Sequence, residues 1–234
     1  MPDHLPLLGV DRRRHPWFVA GGVALAAVAG YVNLVMLGFF HVPVSHMTGA
    51  VSRVAADLAE GDRPHLQIVI GIVTGFLVGA ATSGALIGSR RLESGRRYGV
   101  ALMLEGVLLS GACLLGLRES QWAVPVAATA CGLQNAMASS YHGLVVRTTH
   151  VTGLVTDLGL LLGHALRDRS VEGWRVAMLS GLLAGFTAGA LAGAYANAWI
   201  GVAALWPAAV ACLAAGAAYF LHRERVRRRA AAAS

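Results

Sequence analysis

Six stretches of this chain run apolar for about twenty residues each: Trp17–Phe40, Leu66–Gly88, Tyr98–Leu117, Trp122–Tyr141, Val176–Asn197 and Trp199–Leu221. A helix rising about 1.5 Å per residue needs about 20 such residues to cross a hydrocarbon layer about 30 Å thick. Lipid offers no partner to a bare backbone, so a spanning segment is a helix or part of a closed barrel, and the short alternating segments of a barrel are missing here. The expected fold class is therefore all-α, a polytopic membrane protein of six transmembrane helices. Only 13% of the residues are charged and the mean hydropathy is +0.60, which excludes an ordinary soluble domain. The first run reads as a spanning helix and not as a cleaved leader, because it is long and no small-x-small site precedes polar sequence.

The basic residues give those crossings a direction. All 19 are arginine, the usage of a GC-rich bacterial coding sequence. Sixteen fall in four regions: Arg12, Arg13 and Arg14; Arg90, Arg91, Arg96 and Arg97; Arg147, Arg167, Arg169 and Arg175; and the C-terminal tail. The other links hold only Arg53, Arg63 and Arg118. With six crossings the rich regions share one side, which the positive-inside rule assigns to the cytoplasm. Residues 1–16 and 222–234 thus read as basic cytoplasmic tails of a multi-pass protein in a bacterial inner membrane. The tail "HRERVRRR" anchors that topology and has a surface for anionic lipid. The net charge of +7 needs no nucleic acid to explain it.

Two polar phrases interrupt the apolar runs, "HVPVSHMTGAVSR" at 41–53 and "RTTHVTGLVTD" at 147–157. His46-x-Thr48-Gly49 matches His150-x-Thr152-Gly153. Upstream, Gly30-Tyr31-Val32-Asn33 matches Gly132-Leu133-Gln134-Asn135; downstream, "GFLVGA" at Gly75–Ala80 matches "GFTAGA" at Gly185–Ala190. The order is preserved, so residues 17–117 and 118–221 read as two copies of one three-helix unit. Three crossings are an odd number, and the second copy must start on the opposite side. That is the inverted-repeat plan of many secondary transporters. After each HxTG the pattern turns helical, so each unit is expected to hold a short broken helix after its first crossing.

Glycines mark the third element of each unit. Gly71, Gly75 and Gly79 recur every four residues, as do Gly181, Gly185, Gly189 and Gly193. That spacing gathers them on one helix face and admits a neighbouring helix closely. The face serves plain helix packing, a sliding interface, or a homo-oligomer.

The stretch "AGYVNLVMLGFFHVPVSHMTGAVSRVAADLAEGD", with "CGLQNA" and "TTHVTGLVTDL" further on, resembles the YoaK family, the domain-of-unknown-function 1275 membrane proteins of bacteria. The likeness covers residues 17 to 221 and is most specific at the M-T-G phrase and the GLQNA…T-x-V-T-G block. This chain has His46 where the family pattern often has Asn, and Asn33 where it often has Asp. The resemblance implies a six-helix integral membrane protein and names no reaction.

Thr48 and Thr152 are placed to cap the short helices with their hydroxyls, and Gly49 and Gly153 let the backbone come close. Free amides and the positive dipole ends would then face the middle of the protein, a device that holds anions in transporters. The plainer reading is a helix break that turns the chain at the membrane surface. His46, Thr48, Gly49, His150, Thr152 and Gly153 are thus the candidate solute-binding residues, with Asn33 and Asn135 lining a polar path or joining helices. Arg53 and Asp57 are i,i+4 neighbours and can pair. Asp157 stands opposite Arg53 in the repeat, so an Arg53–Asp157 contact across the axis is a second option, as a gate or a clasp.

Glu105 lies seven residues into the third crossing, where a carboxylate costs several kcal/mol unless paired, hydrated or protonated. It is a proton-coupling or cation site, or else a buried structural hydrogen bond. His142 and His164 fall near the interface. Cys113, Cys131 and Cys212 form no motif and read as structural thiols. No metal-site spacing, phosphate loop or G-x-S-x-G elbow occurs, so no metal, cofactor or enzyme activity is expected.

These residues point first to a small secondary transporter or permease. Its partners are the bilayer and a small solute, an anion if the helix starts bind it, with Glu105 coupling protons. The competing class is a non-transporting accessory or assembly protein acting through helix contacts; a weaker third is an intramembrane enzyme built on the histidines. A transporter demands a cavity touching both HxTG phrases and Glu105. An accessory protein demands an exposed glycine stripe and a solid centre.

Overall fold

The computed structural model describes residues 15–88, 96–139, 148–168 and 173–232. Those residues form eight α-helices and no strand: α1 (His15–Phe40), α2 (Met47–Glu60), α3 (Arg63–Ile87), α4 (Arg96–Gly116), α5 (Ala123–Ser139), α6 (Val151–Asp168), α7 (Gly173–Ile200) and α8 (Leu205–Ala232). A 3-10 turn at Gly201–Ala204 joins the last two. Four stretches are long and apolar enough to cross a membrane: Val19–Phe40, Arg63–Ile87, Arg97–Gly116 and Gly173–His222. The last holds both α7 and α8. The protein is an all-α membrane protein. Arg12, Arg13, Arg14, Arg90, Arg91, Arg147 and Arg169, which carry much of the expected orientation, lie outside the described residues, as does His142.

The sixth apolar run was expected to begin a helix at Trp199. Instead Trp199 and Ile200 complete α7, Gly201 takes a left-handed φ of 58°, and α8 starts at Leu205. Glycine reaches that φ without the Cβ clash that bars other residues, which is how an unbroken apolar run is divided. Trp122, Tyr195 and Trp199 stand exposed at the start of α5 and the end of α7. Aromatic rings at helix ends suit the headgroup level of a bilayer.

The glycine faces set the packing. Gly181, Gly185, Gly189 and Gly193 of α7 meet Val23, Ala27 and Tyr31 of α1 in rising order, so the two helices run parallel. Gly75 and Gly79 of α3 meet Pro125 and Thr129 of α5, again in parallel. Gly106 of α4 lies on Ala209 of α8 while Gly216 of α8 lies on Gly99, so that pair is antiparallel. At Gly75, Gly79, Gly185, Gly189 and Gly193 the atom facing the missing side chain is a backbone carbonyl oxygen, so the helix backbones themselves are in contact there. Most of these contacts occur twice with the halves exchanged. Gly30 faces the carbonyl of Phe186 as Gly132 faces that of Phe76, and Gly189 faces Ala27 as Gly79 faces Thr129.

Both glycine stripes are therefore consumed inside one chain. An oligomer through them, expected from sequence, has no free face to use, because each stripe is already covered by a helix of the other half. α5, rich in Ala and Gly, sits deepest; residues from Ala123 to Ala138 along it are buried. The amphipathic α2 and α6 pack on α3 and α7, with Leu154 of α6 buried against Leu179 and Leu182.

Candidate functional site

Glu105 is 2% exposed on α4. Its neighbour Gly106 explains the position: the missing side chain lets α8 approach until its backbone touches α4, and the carboxyl is carried against the same helix. There the Cys212 thiol is its hydrogen-bonding neighbour, and Cys131 of α5 is near enough to feel its charge. Glu105 Oε2 is buried with no hydrogen-bond partner among the described residues. A buried polar atom left unsatisfied is uncommon in a native core and calls for a reason.

Beside this pair lies a cavity of about 410 Å³. It lies between the N-terminal parts of α1 and α4, the C-terminal end of α5 and the middle of α8, with Gly21, Leu25, Tyr98, Met137, Cys212 and Tyr219 in its wall. Cys212 thus faces the cavity and touches Glu105, separating one from the other. The Tyr219 hydroxyl is buried and has no hydrogen-bond partner among the described residues. Among the described residues the rest of the wall is apolar apart from Tyr98 and Cys212. Neither HxTG phrase contributes to it.

The HxTG phrases do start helices, but not by the expected cap. α2 begins at Met47 and α6 at Val151, one residue past each histidine, so Thr48 and Thr152 are second residues of their helices. The N-cap of α2 is His46, which makes no side-chain capping bond. Each imidazole folds over the first turn instead. A Cβ on Gly49 would strike the His46 ring, and one on Gly153 the His150 ring. The glycine three residues after the histidine makes room for that ring, which accounts for the spacing. His46, Thr48, His150 and Thr152 are all exposed on the surface, away from the cavity wall.

Asn33 joins segments. Its Oδ1 accepts from the Ser45 N–H at 3.1 Å and from the Ser45 hydroxyl at 2.9 Å, tying α1 to the approach of α2. Gln134 likewise donates from Nε2 to the Leu25 carbonyl at 3.2 Å, holding α5 to α1. The second half differs: Asn135 Oδ1 and Thr148 Oγ1 are buried without partners among the described residues.

Arg53 and Asp57 form an ion pair with Nε 2.9 Å from Oδ1. Asp57 is 0% exposed, and its Oδ2 lies 2.6 Å from His65 Nδ1. Arg53 also reaches Glu60 at 3.8 Å. Asp62 caps α3 by accepting the His65 N–H at 3.2 Å, and Gly61 ends α2 with φ 75°. The cluster clasps α2 onto α3. Asp157 stands exposed on α6, and the partners of Arg53 are all in this corner, so the Arg53–Asp157 contact across the axis is not formed. Sequence reasoning missed His65; the signal was the Asp62-Arg63-Pro64 helix start, which turns α3 back beside α2. Asp57→Asn is expected to lower stability by about 1–3 kcal/mol, the worth of charge-assisted hydrogen bonds reduced by the half-exposed Arg53. A melting curve in detergent measures it.

The family model described as "Protein of unknown function (DUF1275)" matches residues 21–218. The chain belongs to that family. The match takes in both halves, the clasp, the HxTG phrases and Glu105. No curated protein and no solved structure matched the chain. For this family member the chemistry has to be read from the buried carboxyl and its cavity.

Proposed function

We propose that the chain is a small secondary transporter with six crossings, built as two inverted three-helix repeats, that couples movement of a small solute to a proton on Glu105. One observation carries the reading: a fully buried carboxyl in mid-helix, with one oxygen unpartnered, separated from a cavity by a single thiol. A carboxyl held in that way exchanges protons when hydration reaches it, the behaviour of coupling residues in transporters.

The helix directions support the inverted plan. If each crossing reverses the last, α1, α4 and α7 share one direction and α3, α5 and α8 the other. Parallel α1 and α7, parallel α3 and α5, and antiparallel α4 and α8 all agree with that. By the positive-inside rule the arginine-rich links favour cytoplasmic termini in a bacterial inner membrane, and on that reading the cavity opens towards the cytoplasm. The aliphatic wall with two tyrosines favours a small, largely apolar solute over an anion. The accessory-protein reading loses its main surface, since both glycine stripes are covered.

In proteoliposomes carrying a pH-sensitive dye, a panel of small neutral and cationic apolar solutes is expected to include one that drives proton movement through the parent. Glu105→Gln is expected to abolish that movement. Equal movement in both chains would remove Glu105 from the mechanism, and no movement with any solute would remove coupled transport.

A further inference from the structure

The cavity has a mate on the opposite face. The exchange that carries α1 onto α5 and α4 onto α8, fixed by Gly30 with Gly132 and by Gly106 with Gly216, also carries each wall residue to a counterpart. Ala24 and Leu25 go to Val126 and Ala127, Met137 and Ala138 to Val35 and Met36, and Ala215 to Glu105. The two sets differ in access. Gly21, Ala24, Ala211 and Ala215 are exposed in the cavity, whereas their counterparts Ala123, Ala101 and Glu105 are buried and Val126 is half-buried.

Bulkier side chains fill part of the mate region, since Gly22, Ala24, Ala138 and Ala215 of the cavity become Val124, Val126, Met36 and Glu105, but they do not fill all of it. Leu25, Val28 and Tyr98 of the cavity correspond to the smaller Ala127, Ala130 and Ala208, and these are buried all the same. The mate region is therefore packed shut even where its side chains are the smaller ones. The 3-10 turn completes the closure: Val202 packs on Gly116, and its carbonyl accepts the Cys113 thiol at 3.5 Å.

We infer that the mate region around Val35, Met36, Ala123 and Ala127 is a second access site for the same small apolar solute, opening to the opposite face when the cavity closes. This rests on the transporter reading. The structure is then the state open towards the ends of α4 and α8 that carry Arg97 and Arg228. Leu102 and Cys212 exchange with each other, so they belong to both sites and form the seam between them. Glu105 lies on the mate side of that seam, against Cys212. Closure of one side and opening of the other transfers access to the carboxyl from one face to the other, which is the step that coupling requires.

A membrane-impermeant maleimide tests this on vesicles of each orientation, with labelling of the parent's own cysteines subtracted. Ala24→Cys and Ala211→Cys are expected to label from one face. Met36→Cys and Val124→Cys are expected to label from the other face, about 10- to 1,000-fold more slowly, as for a minor state populated at about 0.1–10%. Adding Ala24→Trp, which wedges the cavity open, is expected to suppress that slow labelling. Two mate positions are used so that a folding defect in one leaves the other. Mate positions that stay unlabelled, label from the cavity's own face, or ignore the Ala24→Trp wedge would overturn the inference. Labelling needs no solute, so its failure is distinct from a failure of the proton-flux assay with Glu105→Gln.

Discussion

Gly79→Ala and Gly189→Ala are expected to destabilise the fold by about 1–3 kcal/mol each, and by similar amounts, because overpacking a close contact has that cost. The methyl group at Gly79 would enter the carbonyl of Thr129, and at Gly189 the carbonyl of Ala27. Neither obstacle is the tip of a flexible side chain; each is helix backbone, so relief requires α3 to leave α5 or α7 to leave α1. Gly84 and Gly111 have nothing near the position of an added Cβ. Alanine there is expected to be neutral or to stabilise by up to about 1 kcal/mol, the helix-propensity difference. Thermal unfolding in detergent with a size-exclusion readout reports all four. A cost at Gly189 with none at Gly79 would mean that the two halves do not pack by the same exchange.

The part of this fold legible in the sequence is the part set by local pattern. Apolar runs placed α1, α3 and α4 to within a few residues, since length and hydropathy alone decide whether a helix can cross lipid. The HxTG phrases marked the starts of α2 and α6. Glycine spacing marked the faces that pack, although not which helix would cover them, because that partner lies far along the chain in the other half. The threonine cap failed for a physical reason: a histidine ring at the N-cap already occupied the first turn, and only side-chain geometry reveals it.

The candidate site was half legible. Glu105 stands out because a lone carboxylate in an apolar run is costly, and its burial followed. Its neighbour Cys212 did not stand out, since a cysteine in an apolar run reads as filler. His65 was hidden because its partner Asp57 is reached only after the chain reverses at Gly61. Nor does local pattern tell which of two matched faces holds the open cavity; the difference lies in how each whole face packs.

Glu105→Leu is expected to raise the unfolding free energy by about 1–3 kcal/mol while abolishing proton-coupled flux. An unsatisfied buried oxygen carries a desolvation penalty of that size, and an apolar side chain of similar volume removes it. Leucine also matches Ala101 and Leu109, the buried apolar residues one turn either side of Glu105 on α4. A structural carboxyl predicts the reverse. If Glu105 held α4 to α8 through Cys212, leucine would break that bond and lower the melting temperature, and Glu105→Gln would restore it. Measuring both variants for stability and flux therefore separates the roles. A loss of stability in Glu105→Leu that Glu105→Gln repairs would end the coupling assignment. A more stable, inactive Glu105→Leu would place the carboxyl where function opposes packing, the signature of a working site.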